Sequence, residues 1–350
     1  MLQIQKAQEL DVVELTEDLP QYGLCKGTHG TVLEVFDQPE EAYMIEFVDP
    51  SGENSKIADW VLPAQIENLD QKAGLLFKRG IELLNIGKSI EASEQLRHAI
   101  HLKPGLIRIL HNSISELAKA KEWKKLIEGM RFIIDIDPDY ELAWGNLAVA
   151  SLNYGVQKAR ENDLAGALAF FLKAFRIETL TRITDLAREN IAAAHVGLGI
   201  QAHQKAQLET ALKHMETAYT FMSNSQTRRN LGLAYSIMAE KLLMDQKFEA
   251  AIGNYIAAEE SGMLTSEGLN NRAVAHVHRM EIDEAIETLE VALTIEPDNE
   301  VAKANLSLLK SNLPTIRSEV MRSLRTEQVS LEFFPVSQTD TVALNSIVQA

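Results

Sequence analysis

From about Ala73 to Leu313, apolar residues recur at spacings of three and four among strong helix formers, interrupted by short loops. The first 69 residues follow a different rhythm. There "DVVELT", "GTVLEVF", "AYMIEFV" and "ADWVLP" alternate β-branched or aromatic residues with polar ones, and Gly- and Pro-containing turns such as "VDPSGEN" separate them. After Leu313 the stripe fades, with a further helix predicted over Ile316–Val329 and then a Ser/Thr/Val/Gln-rich tail. The pattern predicts a mainly α chain in three parts: a small closed β-barrel over 1–69, an α-solenoid over 70–313, and a capping helix with a loose tail over 314–350.

The helical part repeats. "LNNRAVAHVHRMEIDEAIETLEVALTIEPD" (Leu269–Asp298) reads as helix, turn, helix and a terminating Pro. "AGLLFKRGIELLNIGKSIEASEQLRHAIHLKP" (Ala73–Pro104) has the same layout, and Pro138 closes a more degenerate copy, with Leu126 at the small-residue position. Three middle copies align from Asn146, Asn190 and Asn230, each with a spacing of twenty-one from that Asn to the small residue of the second helix (Ala167, Ala211, Ala251). From Asn271 to Ala285 the spacing is fourteen. Seven extra residues are about two helical turns, so the middle copies should have a longer first helix, and a longer partner with it. A small residue in the second helix lets the two helices approach. No copy can bury its apolar face alone, so the six must stack. Leu142 to Trp144, Phe170, Phe171 and Phe175 are assigned to this packing.

With Asn271, Ala273, Ala285, Leu289, Ala292 and Pro297 at their consensus places, and thirty-four residues from Pro104 to Pro138, the helical part resembles the tetratricopeptide-repeat family. The resemblance implies a solenoid that binds protein segments in its concave groove. The N-terminal order "ELDVVELTEDLPQYGLCKGTHGTVLEVF…EEAYMIEFVDPSGE" resembles an uncharacterised bacterial small-barrel family known as a domain of unknown function, over Glu9 to about Leu69, and its barrel is expected to be SH3-like. That likeness implies no activity.

Charge adds a polarity to this layout. The formal net charge is −16, and residues 1–69 hold 14 acidic against 3 basic side chains. Such a head repels polyanions, so nucleic acid is not an expected partner, whereas a protein with a basic face is. One cysteine, no basic-then-apolar leader and no apolar run near ~20 residues read as a cytoplasmic protein without membrane insertion.

The stretch "GLCKGTHGT" (Gly23–Thr31) is the richest in candidate chemistry. A phosphate loop needs a helix after its glycines; here a strand follows, so Gly27 and Gly30 are assigned to positive φ or close strand approach. Cys25 and His29 lack the base, orienting group and ligand number that a nucleophile or metal site needs. His98 and His101 share a helix face without a third ligand, and His276 and His278 diverge. The acidic clusters Asp135–Asp139 and Glu259–Glu260 fall at helix ends. No catalytic constellation, metal site or cofactor is expected.

The recurring Asn112, Asn146, Asn190, Asn230 and Asn271 are the most informative polar feature. They align at one place of the first helix, on the face that lines the groove in the resembling family, where amides can donate to and accept from an extended peptide backbone. Arg108, Arg228, Arg229 and Arg272 are the nearest cations, and Lys78 replaces the first Asn, so a full carboxylate clamp is not formed. Arg108 and Arg229 join the five Asn as candidate groove residues. The sequence thus reads as a non-enzymatic adaptor that holds a protein or peptide, with the acidic barrel as a second surface. The alternative is an inhibitor or immunity-type protein whose acidic barrel blocks a basic, nucleic-acid-handling enzyme. Leu331–Val336, "LEFFPV", is a candidate docking motif.

Overall fold

A computed structural model describes residues 6–48, 54–177 and 181–323. The LEFFPV motif and most of the VDPSGEN turn lie outside these residues. Two compact units, Met1–Ala150 and Ser151–Ala350, divide the chain.

The first unit opens with five antiparallel strands, β1 (Val12–Leu15), β2 (His29–Phe36), β3 (Ala42–Val48), β4 (Ser55–Val61) and β5 (Ile66–Asn68), in the order β4-β3-β2-β1-β5. Alternation places Val13, Leu15, Val32, Ile45, Phe47, Ala58 and Val61 on one buried face. The sheet is not closed as the sequence pattern predicted. β4 and β5 are its two edges, joined through a short 3₁₀ turn (Pro63–Gln65), and β5 is only three residues long and pairs with β1 alone.

Gly30 is the close approach within this sheet: a Cβ there would sit 2.6 Å from both Ile45 and Phe47. Gly27 has φ +83, a backbone conformation that L side chains rarely adopt. Asp18 accepts from the Lys26 amide at 2.7 Å, and Gly27 N–H donates to Leu15 at 2.9 Å. His29 turns to Glu14 on the neighbouring strand, 3.1 Å away, and not to Cys25, which is exposed. "GLCKGTHGT" is therefore the turn into β2.

Helices begin directly after β5. α1 (Leu69–Asn85) and α2 (Ser89–Leu102), α3 (Leu106–Ser115) and α4 (Trp123–Ile136), and the start of α5 (Glu141–Arg160) complete the first unit. Asn68 caps α1, accepting from the Gln71 amide at 2.9 Å, and its own amide donates to Asp11 at 2.6 Å. Asp70 accepts from the Val12 amide at 2.8 Å and pairs with Lys103 at 2.6 Å, so the sheet, α1 and the end of α2 meet on one carboxylate.

The second unit contains the rest of α5, α6 (Leu164–Arg176), α7 (Thr181–Gln204), α8 (Leu208–Phe221), α9 (Ser225–Met244), α10 (Phe248–Glu260), α11 (Ser266–His278), α12 (Ile282–Ile295) and α13 (Glu300–Ser323). Six helix-turn-helix pairs thus occur among the described residues, in a tetratricopeptide-like repeat fold, and α13 follows as one continuous helix where two were predicted.

All six pairs turn the same way. Gly87, Lys121, Asn162, Ala206, Gln246 and Met280 each take positive φ, between 56° and 80°. The next amide then donates back to the carbonyl five residues earlier, as in Lys88→Leu83, Asp163→Lys158 and Glu281→His276. This is the Schellman stop, which satisfies the end of the first helix and launches the second. Seven residues before each turn stands the residue that faces the second helix: Gly80, Ile114, Gly155, Gly199, Ala239 and Ala273. A Cβ on Gly155 would lie 2.5 Å from Phe171 and 3.2 Å from the Ala167 carbonyl; one on Gly199 would lie 3.2 Å from the Ala211 carbonyl. In the degenerate second pair Leu126 fills the small site, and the close approach shifts to Gly129, where a Cβ would be 2.4 Å from Ile114.

The middle first helices are longer, as the spacing predicted: α5, α7 and α9 have 20, 24 and 20 residues against 13 in α11. Their partners are not: α6, α8 and α10 have 13, 14 and 13 residues, like α12 with 14. The turn-side half of every first helix is constant, so the added residues all fall at its N-terminal end, away from where the partner packs. Among the predicted packing residues, Phe171 and Ala143 are buried, whereas Leu142 is 59% exposed.

Candidate functional site

The constant distance from turn to packing residue changes the reading of the asparagines. Asn112 and Asn271 stand nine residues before their turns; Asn146, Asn190 and Asn230 stand sixteen before theirs. The five are two sets, separated along the helix by two turns, or about 10 Å. At the level of Asn271, α7 carries Gly197 and α9 carries Ile237. A Cβ on Gly232 would meet Ser261 and Met263.

Their environments differ as well. In the first unit Asn112 and Arg108 are exposed, while Asn146 Nδ2 donates to His111 Nε2 at 2.8 Å and reaches Ser115 Oγ at 3.3 Å. In the second unit Asn190 donates to its own helix at Leu186, 2.7 Å away, and Asn271 is buried beside Asn270. Arg229 is exposed. Arg228 reaches the Tyr219 hydroxyl at 3.4 Å, and Arg272 is paired with Glu259 at 2.5 Å. Of the predicted residues, Asn230 lines a pocket of ≈ 500 Å³ between α7 and α9.

One wall of that pocket is α7, where Ala192, Ala193, Val196, Gly197 and Ile200 repeat at helical spacing. Small side chains make the wall recede; this is why a channel exists between two helices that otherwise pack. The other wall is the start of α9. Asn224 caps it, accepting from the Thr227 amide at 2.8 Å, and Thr227 donates to the Met222 carbonyl. Gln226 Nε2 donates to Asn230 Oδ1 at 3.1 Å. Asn230 is 1% exposed, and its Nδ2 has no hydrogen-bond partner among the described residues. Glu189 stands at the rim. The arrangement offers an apolar floor and amide donors, which is what an extended backbone with small apolar side chains requires.

The stripe on α7 was missed from the sequence, although "IAAAHVGLGI" is its longest apolar run. Its signal was smallness at helical spacing. A second missed feature lies behind it, where His195 on α7 and His214 on α8 face each other Nδ1 to Nδ1 at 2.9 Å. Burial holds both below the usual imidazole range, so they share one proton-donor and one acceptor role.

His98 and His101 line a shallow depression on α2 and α4 with Arg97 and Asp135, where Arg97 donates to the Asp135 carbonyl at 2.9 Å. No cluster of three metal-ligating residues occurs among the described residues, and no described helix is long and apolar enough to cross a membrane.

Comparison with known proteins matches residues 9–59 to the model of a family described as a domain of unknown function, DUF4926. The mouse protein sperm-associated antigen 1 is 25% identical over 152 residues, which is 43% of this chain and 16% of that protein's length. Among solved structures, the TPR domain of P58(IPK) is 14% identical, with 72% of this chain and 69% of that one covered and a TM-score of 0.31. The TPR2AB domain of yeast Sti1, in a complex with pHSP90, is 17% identical, covers 68% and 97%, and has a TM-score of 0.27. The helical part of the chain is thus similar to tetratricopeptide proteins, and its first strands match a family without an assigned function.

Proposed function

We propose that this protein is a non-enzymatic adaptor that holds an extended segment of a protein partner between the first helices of its second unit. The observation that carries the reading is the α7–α9 pocket, in which the nearly buried Asn230 offers its Nδ2 donors opposite a wall of small apolar residues. Residues 70–313 are the binding array in this reading, with Asn190 and Arg229 next in sequence to the pocket residues Glu189 and Asn230. Residues 1–69 form a second, acidic surface in the cytoplasm, suited to a partner with a basic face.

Ala193 is exposed and lines the pocket, so Ala193→Trp plugs it without entering the core. Quantitative affinity purification from cells with wild-type and Ala193→Trp full-length protein tests the proposal. Loss of a defined set of partners supports it; identical recovery by a normally folded variant sinks it.

A further inference from the structure

The core of the five-stranded sheet lies against one of its faces, and strand pairing sets out what the other face carries. Thr31, Glu46 and Ile57 lie side by side on β2, β3 and β4, and Glu34 lies beside Met44. Paired side chains of an antiparallel sheet stand about 5 Å apart. Phe36, two residues beyond Glu34 and therefore on the same face, stacks its ring on that of Trp60 at 5.5 Å. The stack spans β3, where the partner of Phe36 is the small Ala42. Ile57 is 55% exposed and Trp60 36%, so an aromatic pair and an aliphatic side chain stand in water beside two carboxylates.

Charge says what fits there. Glu34 and Glu46 form no ion pair among the described residues. The three basic side chains of residues 1–69 are engaged or placed elsewhere: Lys6 is paired with Asp37, Lys56 donates to the Tyr22 and Gly23 carbonyls at 3.4 and 3.0 Å, and Lys26 lies in the turn before β2. A purely apolar partner would bury both carboxylates unpaired, and a polyanion would be repelled. An arginine suits the whole face, because its planar guanidinium stacks on an indole, its N–H fork donates to carboxylates and its stem covers apolar surface.

We infer that this face, through Glu34, Phe36, Met44, Glu46, Ile57 and Trp60, docks a segment of a protein partner in which arginines alternate with apolar residues. The guanidinium groups meet Glu34 and Glu46 and lie on the exposed indole, while the apolar residues cover Ile57 and Met44. The inference rests on the proposed reading of residues 1–69 as a second, acidic surface, and it adds the place and the partner chemistry. It does not involve the α7–α9 pocket.

The test is fluorescence anisotropy of full-length protein with a fluorescein-labelled peptide of three Arg-Leu repeats, beside peptides of three Arg-Ser and three Glu-Leu repeats. The Arg-Leu peptide should bind most tightly and the Glu-Leu peptide not at all. Glu34→Gln together with Glu46→Gln should weaken Arg-Leu binding about tenfold, as loss of two exposed ion pairs does. Ile57→Ser, at an exposed position that does not hold the fold, should weaken it severalfold while leaving Arg-Ser binding unchanged. The charge-matched control is Glu17→Gln together with Glu67→Gln, at the β5 edge, and should change binding less than twofold. Equal binding of the Arg-Ser and Arg-Leu peptides overturns the inference. Binding that survives Glu34→Gln with Glu46→Gln but is lost in the β5-edge control rejects this face and keeps the acidic surface, whereas no binding of any arginine peptide rejects both. Ala193→Trp should leave the peptide affinity unchanged, so the pocket reading stands or falls separately.

Discussion

Asn146 Nδ2 donates to His111 Nε2 at 2.8 Å, tying the first helix of the third pair to the first helix of the second. The amide fixes His111 as the tautomer with its proton on Nδ1, and His111 is buried at 7% exposure. Asn146 is therefore a structural tie. Asn146→Ala should lower stability by about 1–2 kcal/mol, the cost of stranding a buried polar partner, while Asn230→Ala should weaken partner capture with little change in stability. Urea unfolding of both variants beside the affinity purification checks the contrast. A stable Asn146→Ala protein that loses its partners would reverse the assignment.

Helix contact gives a graded test with three glycines. A Cβ on Gly155 meets the Phe171 ring at 2.5 Å and backbone at 3.2 Å, so Gly155→Ala should cost about 1–3 kcal/mol. On Gly199 the nearest atom is the flexible end of Met215 at 2.9 Å, so the loss should be smaller. Gly253, in α10, has nothing within 4 Å, and Gly253→Ala should stabilise by up to about 1 kcal/mol. The order of the three melting temperatures is the measurement, and a Gly155→Ala protein as stable as Gly253→Ala would refute the close-contact account.

Five of the six turns place a residue other than glycine at positive φ, and Ala206 at φ 56 has no side-chain group to stabilise that conformation. Ala206→Gly should raise stability by about 0.5–1 kcal/mol, and Gly87→Ala, at φ 80, should lower it by a similar amount. Calorimetry of the two proteins decides; a destabilised Ala206→Gly variant would show that chain entropy outweighs the strain.

Much of this architecture was legible because it depends on periodicity. Apolar spacing located the helix pairs, alternation located β1 to β4, and the turn chemistry of Gly27 and Gly30 was recoverable from the strand that follows. The failures arose where contacts, not patterns, decide. Aligning the chain on Asn set the middle copies two turns out of register, because the invariant reference is the distance from Gly155, Gly199 or Ala239 to the turn. Closure of the sheet depends on the pairing of β4 with β5, which no strand pattern encodes. The candidate pocket was hidden because Ala192, Ala193 and Gly197 read as filler.

Two groups of the second unit respond to pH in opposite directions. Glu240 has a folded value of about 7 against 4.5 for the free side chain. The folded protein therefore holds a proton that the unfolded chain releases, and stability falls as pH rises from about 4.5 through 7. Glu240→Gln should abolish this fall and gain about 1 kcal/mol at pH 8, a figure discounted for the partial exposure of the group. His195 and His214 are depressed, chiefly by burial, so their contribution is present above 6.5 and is lost as pH falls through their lowered values. Thermal melts of wild type, Glu240→Gln and His214→Gln between pH 5 and 8 separate the two slopes. A Glu240→Gln curve parallel to wild type would contradict the buried-acid reading.

In the first unit Asp70 should govern acid sensitivity. Burial would raise its carboxyl, but the Lys103 ammonium and the Val12 amide outweigh burial and hold it below the ordinary 3.8. Its contribution is therefore present above 3.8 and lost as pH falls through the lowered value. Asp70→Asn should cost about 1–2 kcal/mol at neutral pH and flatten the acid limb. Hydrogen exchange at the Val12 amide, faster in the variant, is the local readout; unchanged protection would count against the tie.

The six identical turns make each first helix a rod clamped at one end and free to grow at the other. Because seven residues return an α-helix to nearly the same facing, with about 20° of drift, length can be added in that increment without disturbing the clamp, the partner helix or the next turn. The array can thus change the depth of the cleft between neighbouring rods while its joints stay as they are. A lineage of such proteins could fit itself to deeper or shallower cargo by insertion at a single, tolerant position.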